Sequence, residues 1–293
     1  MEALKLIVLV AVGGCGRLDF DALHGDAATF DAGACLGTGT FSNLAPVTAI
    51  DTPNLEYGSS ISPDGLTLLW DEPVGAVEQL FVTTRTDRSS PFPAGAALEG
   101  AFPTGSQSDG SITADLLELY FESRSTGPHC LYRMTRASPT EAFANPVALS
   151  ALCSTGDVVG AAISADGLTL AYNTSLDSFG EGDIYITVRP DRTSEFPVGK
   201  QVAGLPSTVG FPALSADRLR LWFEEDNGSI IRIRAGERIS PSDNFTSYHD
   251  VTELDTQGDN GDISLTLDES EVYFSTKRGT TDWDVFSGSR PCL

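Results

Sequence analysis

Carboxylates recur at a fixed spacing in this 293-residue chain and are its main chemical resource. Five segments carry Ser or Thr, one residue, then Asp; the aspartates are Asp64, Asp115, Asp166, Asp217 and Asp268, always 51 apart. Seven residues beyond them stand Asp71, Glu122, Asn173, Glu224 and Ser275, with Glu72, Glu225 and Asp226 adjacent. Oxygen ligands at that density suit a Ca²⁺ ion, a cationic peptide, or acid–base attack on a glycosidic bond by two carboxyl groups. A solvated acidic rim is the plainer alternative. The Ser/Thr-x-Asp groups are expected to be structural, because each carboxylate can close a tight turn by accepting local N–H groups.

Other chemistry is sparse. Trp283, in Thr281-Asp282-Trp283-Asp284, is the better aromatic platform for a sugar; Trp70 holds a position that is aromatic in every repeat and reads as core. His24, His129 and His249 form no cluster, and no Gly-x-Ser-x-Gly, His-Glu-x-x-His or phosphate-binding loop occurs. No segment has EF-hand spacing, so a metal would need ligands from several repeats. No catalytic residue, metal ligand or cofactor is therefore assigned, although Ca²⁺ is compatible with the acidity. The 18 Lys plus Arg against 41 Asp plus Glu, a net charge of −23, argue against nucleic acid and anionic lipid head groups as partners.

The elements that must position these groups follow from the repeat. Four and six residues after each Asp come apolar side chains, ending in Trp70, Phe121, Tyr172, Phe223 and Phe274, the period-2 signature of a strand. A strand of small residues precedes each Asp, a third strand follows (Gln79–Thr83 and Asp183–Thr187), and a fourth comes after a recurrent Arg-x6-Phe. Four strands in 51 residues describe a propeller blade. The predicted fold is all-β, a five-bladed β-propeller of four-stranded blades. The second-to-third-strand loops should share one face with the blade connections, which carry Glu56, Asp109, Asp157, Asp255, Asp259 and Asp262, making that face strongly acidic.

Ser-x-Asp-Gly, a Leu-x-aromatic strand, an Asp-Ile-Tyr strand, Arg and a late Phe, most fully in Asp166 to Phe196, resemble the WD40-like repeats of TolB-type β-propellers. Those propellers usually have six blades behind an α/β domain; five units are counted here. The resemblance implies the fold and leaves function open. The fifth unit ends at Leu293 with three strands, while Phe41 precedes Asp64 by the same 23 residues that separate Phe92 from Asp115. Ala45 to Ile50 should thus be a displaced fourth strand that closes the ring and removes the sheet edges at the seam. Cys35 and Cys292 fall in one inter-strand loop reached from opposite ends of the chain, so a Cys35–Cys292 disulfide is expected; Cys130 and Cys153 flank the equivalent loop of the second unit and form a second candidate pair. Free buried thiols stand as the alternative for both.

At the start, Lys5 precedes an apolar run that ends in Val12-Gly13-Gly14-Cys15, similar to the lipobox of bacterial lipoproteins. That resemblance implies residues 1–14 as signal peptide, lipidation of Cys15, 15–34 as flexible tether and 35–293 as the propeller. An ordinary secretory leader is the alternative, and would give a secreted soluble protein. The expected function is a monomeric, lipid-anchored, non-catalytic scaffold of the bacterial cell envelope, on the outer membrane's periplasmic or surface side. It would bind an envelope protein, peptide or glycan through Asp71, Glu72, Glu122, Asn173, Glu224, Glu225 and Trp283 on the acidic face. The alternative is a carbohydrate-active hydrolase with paired carboxylates near the axis.

Overall fold

The computed structural model describes residues 36–124, 128–175, 182–255, 258–278 and 282–292. The expected leader, Cys15, the expected tether and Cys35 lie outside the described residues. Blade one holds β2 Tyr57–Ile61, β3 Thr67–Val74, β4 Val77–Thr84 and β5 Ala96–Ala97, following β1 Ser42–Pro46. Blade two holds β6 Ser106–Ile112, β7 Glu118–Arg124, β8 Cys130–Thr135 and β9 Ala144–Ala148; blade three holds β10 Asp157–Ile163, β11 Thr169–Ser175, β12 Ile184–Val188 and β13 Lys200–Gln201. Blade four holds β14 Val209–Leu214, β15 Arg220–Asp226, β16 Ile231–Glu237 and β17 Thr246–Asp250; blade five holds β18 Asn260–Leu265, β19 Glu271–Thr276 and β20 Asp284–Ser289. Each blade is a four-stranded antiparallel sheet, and the fifth has the order β1-β20-β19-β18. The first strands of the blades form a closed inner ring, each against the next.

The core lies between blades. Five apolar clusters each draw on two neighbours: Trp70 and Leu68 meet Tyr273 of blade five, while Leu69 and Leu80 meet Phe121 of blade two. Alternation along a strand dictates this, since successive side chains point to opposite faces of the sheet. Residues four and six after the repeat Asp therefore face the preceding blade, and residues five and seven face the following one.

The repeat motifs are local fasteners. In every blade the Ser or Thr hydroxyl bonds the repeat Asp (Ser62–Asp64, Thr113–Asp115, Ser164–Asp166, Ser215–Asp217, Thr266–Asp268). The same carboxylate accepts a backbone N–H two residues on, as at Leu66 (2.9 Å) and Leu117 (3.0 Å). Each motif Arg lies over its motif Phe, at 4.6 Å from the ring centroid for Arg85 and Phe92 and 4.3 Å for Arg136 and Phe143.

The seam uses the same parts. Arg290, near the carboxyl end, lies 4.5 Å from the ring centroid of Phe41, and its Nε donates to Glu269 O as Arg85 Nε donates to Gly65 O. Gly37 bridges Cys292 antiparallel, Cys292 is disulfide-bonded, and Cys130 and Cys153 are joined by a disulfide. The closing strand starts earlier than the spacing predicted, at Ser42 rather than Ala45. In blades two and four the outer strand likewise begins one residue after the motif Phe, with left-handed Asn145 and Ser247 matching Asn43. Val47 and Ile50 are instead buried in the turn that follows.

Candidate functional site: carboxylates at the axial mouth

Each inner strand carries a bulge at the same place, six residues before the repeat Asp. The five residues there, Gly58, Asp109, Gly160, Phe211 and Asp262, all have left-handed backbone, with φ between 46° and 64°. Glycine takes this conformation freely; other residues do so at a cost of about 1–3 kcal/mol. Asp109 and Asp262 thus occupy positions that blades one and three fill with glycine.

These bulges receive the side chains seven residues after the repeat Asp. Asp71 Oδ2 accepts the Asp109 N–H at 2.8 Å, Asn173 Oδ1 accepts the Phe211 N–H at 3.1 Å, and Glu224 Oε2 accepts the Asp262 N–H at 3.3 Å. Glu122 instead accepts from the Ser108 hydroxyl at 2.8 Å and contacts His129 Nδ1 at 3.0 Å. All five are buried: Asp71, Asn173 and Ser275 are fully so, Glu122 is 6 % exposed and Glu224 5 %. The exposed recognition ring expected from the sequence is therefore mainly a set of fasteners between blades. An odd offset turns these side chains toward the next blade, where an N–H awaits them.

The neighbours expected on that face divide in the same way. Glu72 is buried and accepts the Trp70 indole N–H at 2.9 Å, which confirms Trp70 as core. Glu225 pairs with Arg234 at 2.6 Å. Trp283 is half-buried beneath Lys277 Nζ, 4.7 Å from its ring centroid, so it is no open platform.

What remains at the axis is a group of carboxyls around Gly58. Its N–H donates to Asp262 Oδ2 at 3.0 Å, and a Cβ there would lie 2.1 Å from Asp71 Oδ2 and 3.2 Å from Asp109 Oδ1. Only glycine leaves room for the three to converge. Burial drives all three carboxyls above the ordinary carboxylate range; neighbouring charges, including Glu122 beside each, push the same way. Among the described residues no Arg, Lys or His pairs with Asp71, Asp109 or Asp262, and Asp71 Oδ1 is buried without a partner. His129 is raised above its usual value, chiefly by its hydrogen bond to Glu122.

The opposite face, which carries the repeat turns, is electrostatically satisfied. Arg85 and Arg88 of blade one reach Glu271 of blade five at 2.5 and 3.0 Å, and Arg88 reaches Asp268 at 2.7 Å. Arg189 of blade three reaches Glu118 of blade two at 2.7 Å, and Arg220 and Arg290 both hold Glu269. These arginines bridge blades at one end of the axis; at the other, Arg234 pairs with Glu225, Arg232 with Asp255 and Lys277 with Asp259, so the acid left over is the trio at the axis itself. The connection residues Asp109 and Asp262 were legible as members of the acidic face; their left-handed backbone was not, because no residue type marks it.

No family model matches the chain, and no curated protein matches it in sequence. Solved structures do match in shape. A TolB-type protein from Agrobacterium tumefaciens superposes with a TM-score of 0.52 at 16% identity, over 80% of this chain and 76% of that one. A glycosyl hydrolase from Bacteroides ovatus gives 0.55 at 9% identity, over 88% and 97%. The α-L-arabinofuranosidase of Podospora anserina, determined with cellotriose, gives 0.53 at 11% identity, over 87% and 97%. At these identities the likeness shows the fold class, a β-propeller, and nothing narrower; the count of five blades is this chain's own.

Proposed function

We propose that this chain is a non-catalytic binding module of the bacterial envelope, anchored through Cys15, whose acidic axial mouth takes a cationic group of a protein or peptide partner. One observation carries the reading. Asp109 and Asp262 stand on strained backbone where glycine suffices, and with Asp71 they gather three carboxyls that no Arg, Lys or His pairs with among the described residues. Strained backbone and clustered carboxyls without a cationic partner together point to a ligand that supplies the opposite charge and draws the protons off. The likeness to a TolB-type propeller and the Cys130–Cys153 disulfide support an extracytoplasmic scaffold.

The test is photocrosslinking in native envelopes from residues at the axial mouth, repeated with Asp109→Gly and Asp262→Gly. Capture of one partner, lost in the glycine variants, is expected. A partner retained in both variants, or captured only from the turn face, overturns the placement.

A second reading, a carbohydrate-active hydrolase, is favoured by the raised Asp71 carboxyl beside two others, the environment of a general acid, and by hydrolases among the similar propellers. Against it stands the use of Asp71 and Glu224 as fasteners between blades. Turnover on a glycan panel, abolished by Asp71→Asn, would establish it.

A further inference from the structure

We infer that the seam of the ring holds a divalent cation site of the Ca²⁺ type, built from Asp51, Glu56 and Asp284. One carboxylate oxygen from each lies within 4.8 Å of the other two. Ca²⁺ sits about 2.3–2.6 Å from its oxygen ligands, so oxygens on opposite sides of one ion are about 5 Å apart, and this spacing admits a single ion among all three. The donor set is oxygen only, which suits a hard cation. Asp51 is exposed and Asp284 half-buried, leaving one side open for water ligands.

Glu56 supplies the independent observation. It is fully buried; its Oε1 accepts the Thr52 hydroxyl, and its Oε2 is shielded from solvent with no hydrogen-bond partner. A buried carboxylate oxygen without a donor is costly unless something else satisfies it. These are the circumstances in which carboxylates ligate metal.

The site's place in the fold gives the ion a job. Asp51 and Glu56 belong to the segment that leaves the closing strand β1 and enters blade one, whereas Asp284 opens β20 of blade five, where Trp283 O accepts the Glu56 N–H at 3.0 Å. The ion therefore joins the two ends of the chain on the connection face, while Arg290, Phe41 and Cys292 join them on the turn face. It is distinct from the axial carboxyls and does not depend on the reading given to them.

The experiment is thermal unfolding and titration calorimetry of the full chain with EDTA, CaCl₂ or MgCl₂. Ca²⁺ should bind with a stoichiometry of one at this site and, at about a hundredfold excess over Kd, raise Tm on the order of 5–10 °C. Glu56→Gln and Asp51→Asn should remove both the heat and the shift, whereas Asp109→Gly keeps them. Asp51 is exposed, so its variant folds whatever Glu56→Gln does. No shift in the wild type, a shift that survives Asp51→Asn and Glu56→Gln, or one lost only in Asp109→Gly overturns the assignment. A larger response to Mg²⁺ than to Ca²⁺ overturns the choice of ion.

Discussion

Replacing Asp71 separates the two roles that the structure gives it. Its Oδ2 accepts the Asp109 N–H at 2.8 Å, and its carboxyl lies fully buried beside Asp262, Glu78 and Glu122. Asp71→Asn keeps an acceptor of the same shape and removes the titratable group. Asp71→Ala leaves the bulge N–H without a partner, a loss of about 1–3 kcal/mol. At roughly 2–4 °C per kcal/mol for a domain of this size, the alanine variant should lose about 4–8 °C at pH 3 for a mid-range loss of about 2 kcal/mol. The pH dependence has a definite sign. A carboxyl raised in the folded state keeps its proton while the unfolded chain releases one near the ordinary value. The stability it contributes is full below that value and is lost as pH rises through the folded pKa. Asp71→Asn should therefore match the wild type near pH 3, below the ordinary carboxylate value, exceed it at pH 8, and flatten the fall of Tm between them. Calorimetry in EDTA at both pH values measures this without interference from cations. If the asparagine variant is as unstable as the alanine variant at both pH values, the carboxylate charge itself is structural and the axial argument fails.

Other predictions rest on separate features. Asp109→Gly relieves a left-handed φ of 51° and removes a half-buried carboxyl, and should raise stability by about 1 kcal/mol in a melt at pH 7. Phe41→Ala should cost about 3–5 kcal/mol, as should Phe143→Ala in blade two, but only the former should speed amide exchange selectively in β1 and β20; equal effects on both blades would deny the seam role. Cys153→Ser should cost about 3 kcal/mol by reopening the 23-residue Cys130–Cys153 loop, read as a fall in denaturant midpoint with a steeper slope as the unfolded chain expands. His129 contributes stability below its unfolded pKa near 6.5 that is lost as pH rises through its raised folded pKa; Glu122→Gln should bring that pKa down in an NMR titration.

How far the sequence reached is clearest at particular residues. The 23-residue offset from Asp64 located Phe41 as the motif Phe of the fifth blade, and the structure supplies its arginine, Arg290, 4.5 Å from its ring centroid. The position of Asp71 along its strand was equally legible. Its exposure was misjudged, since acidic character suggested a solvated face while strand parity turned it into the next blade. Asp51 and Asp284 carried no signal at all: one lies outside the repeat, and the other sits in a segment that matches no metal loop.

The sequence by itself determined the architecture: five blades, their strand order, the turns, and a ring closed by its own amino-terminal strand. Those follow from local periodicity and from turn chemistry repeated every 51 residues. Only the tertiary structure decided which carboxylates bind backbone and which stay without a partner. That choice depends on what the neighbouring blade presents, and a one-residue change of strand register reverses it. Closing the ring also brought Asp284 beside Asp51 and Glu56, groups far apart along the chain that close together only once the last blade meets the first.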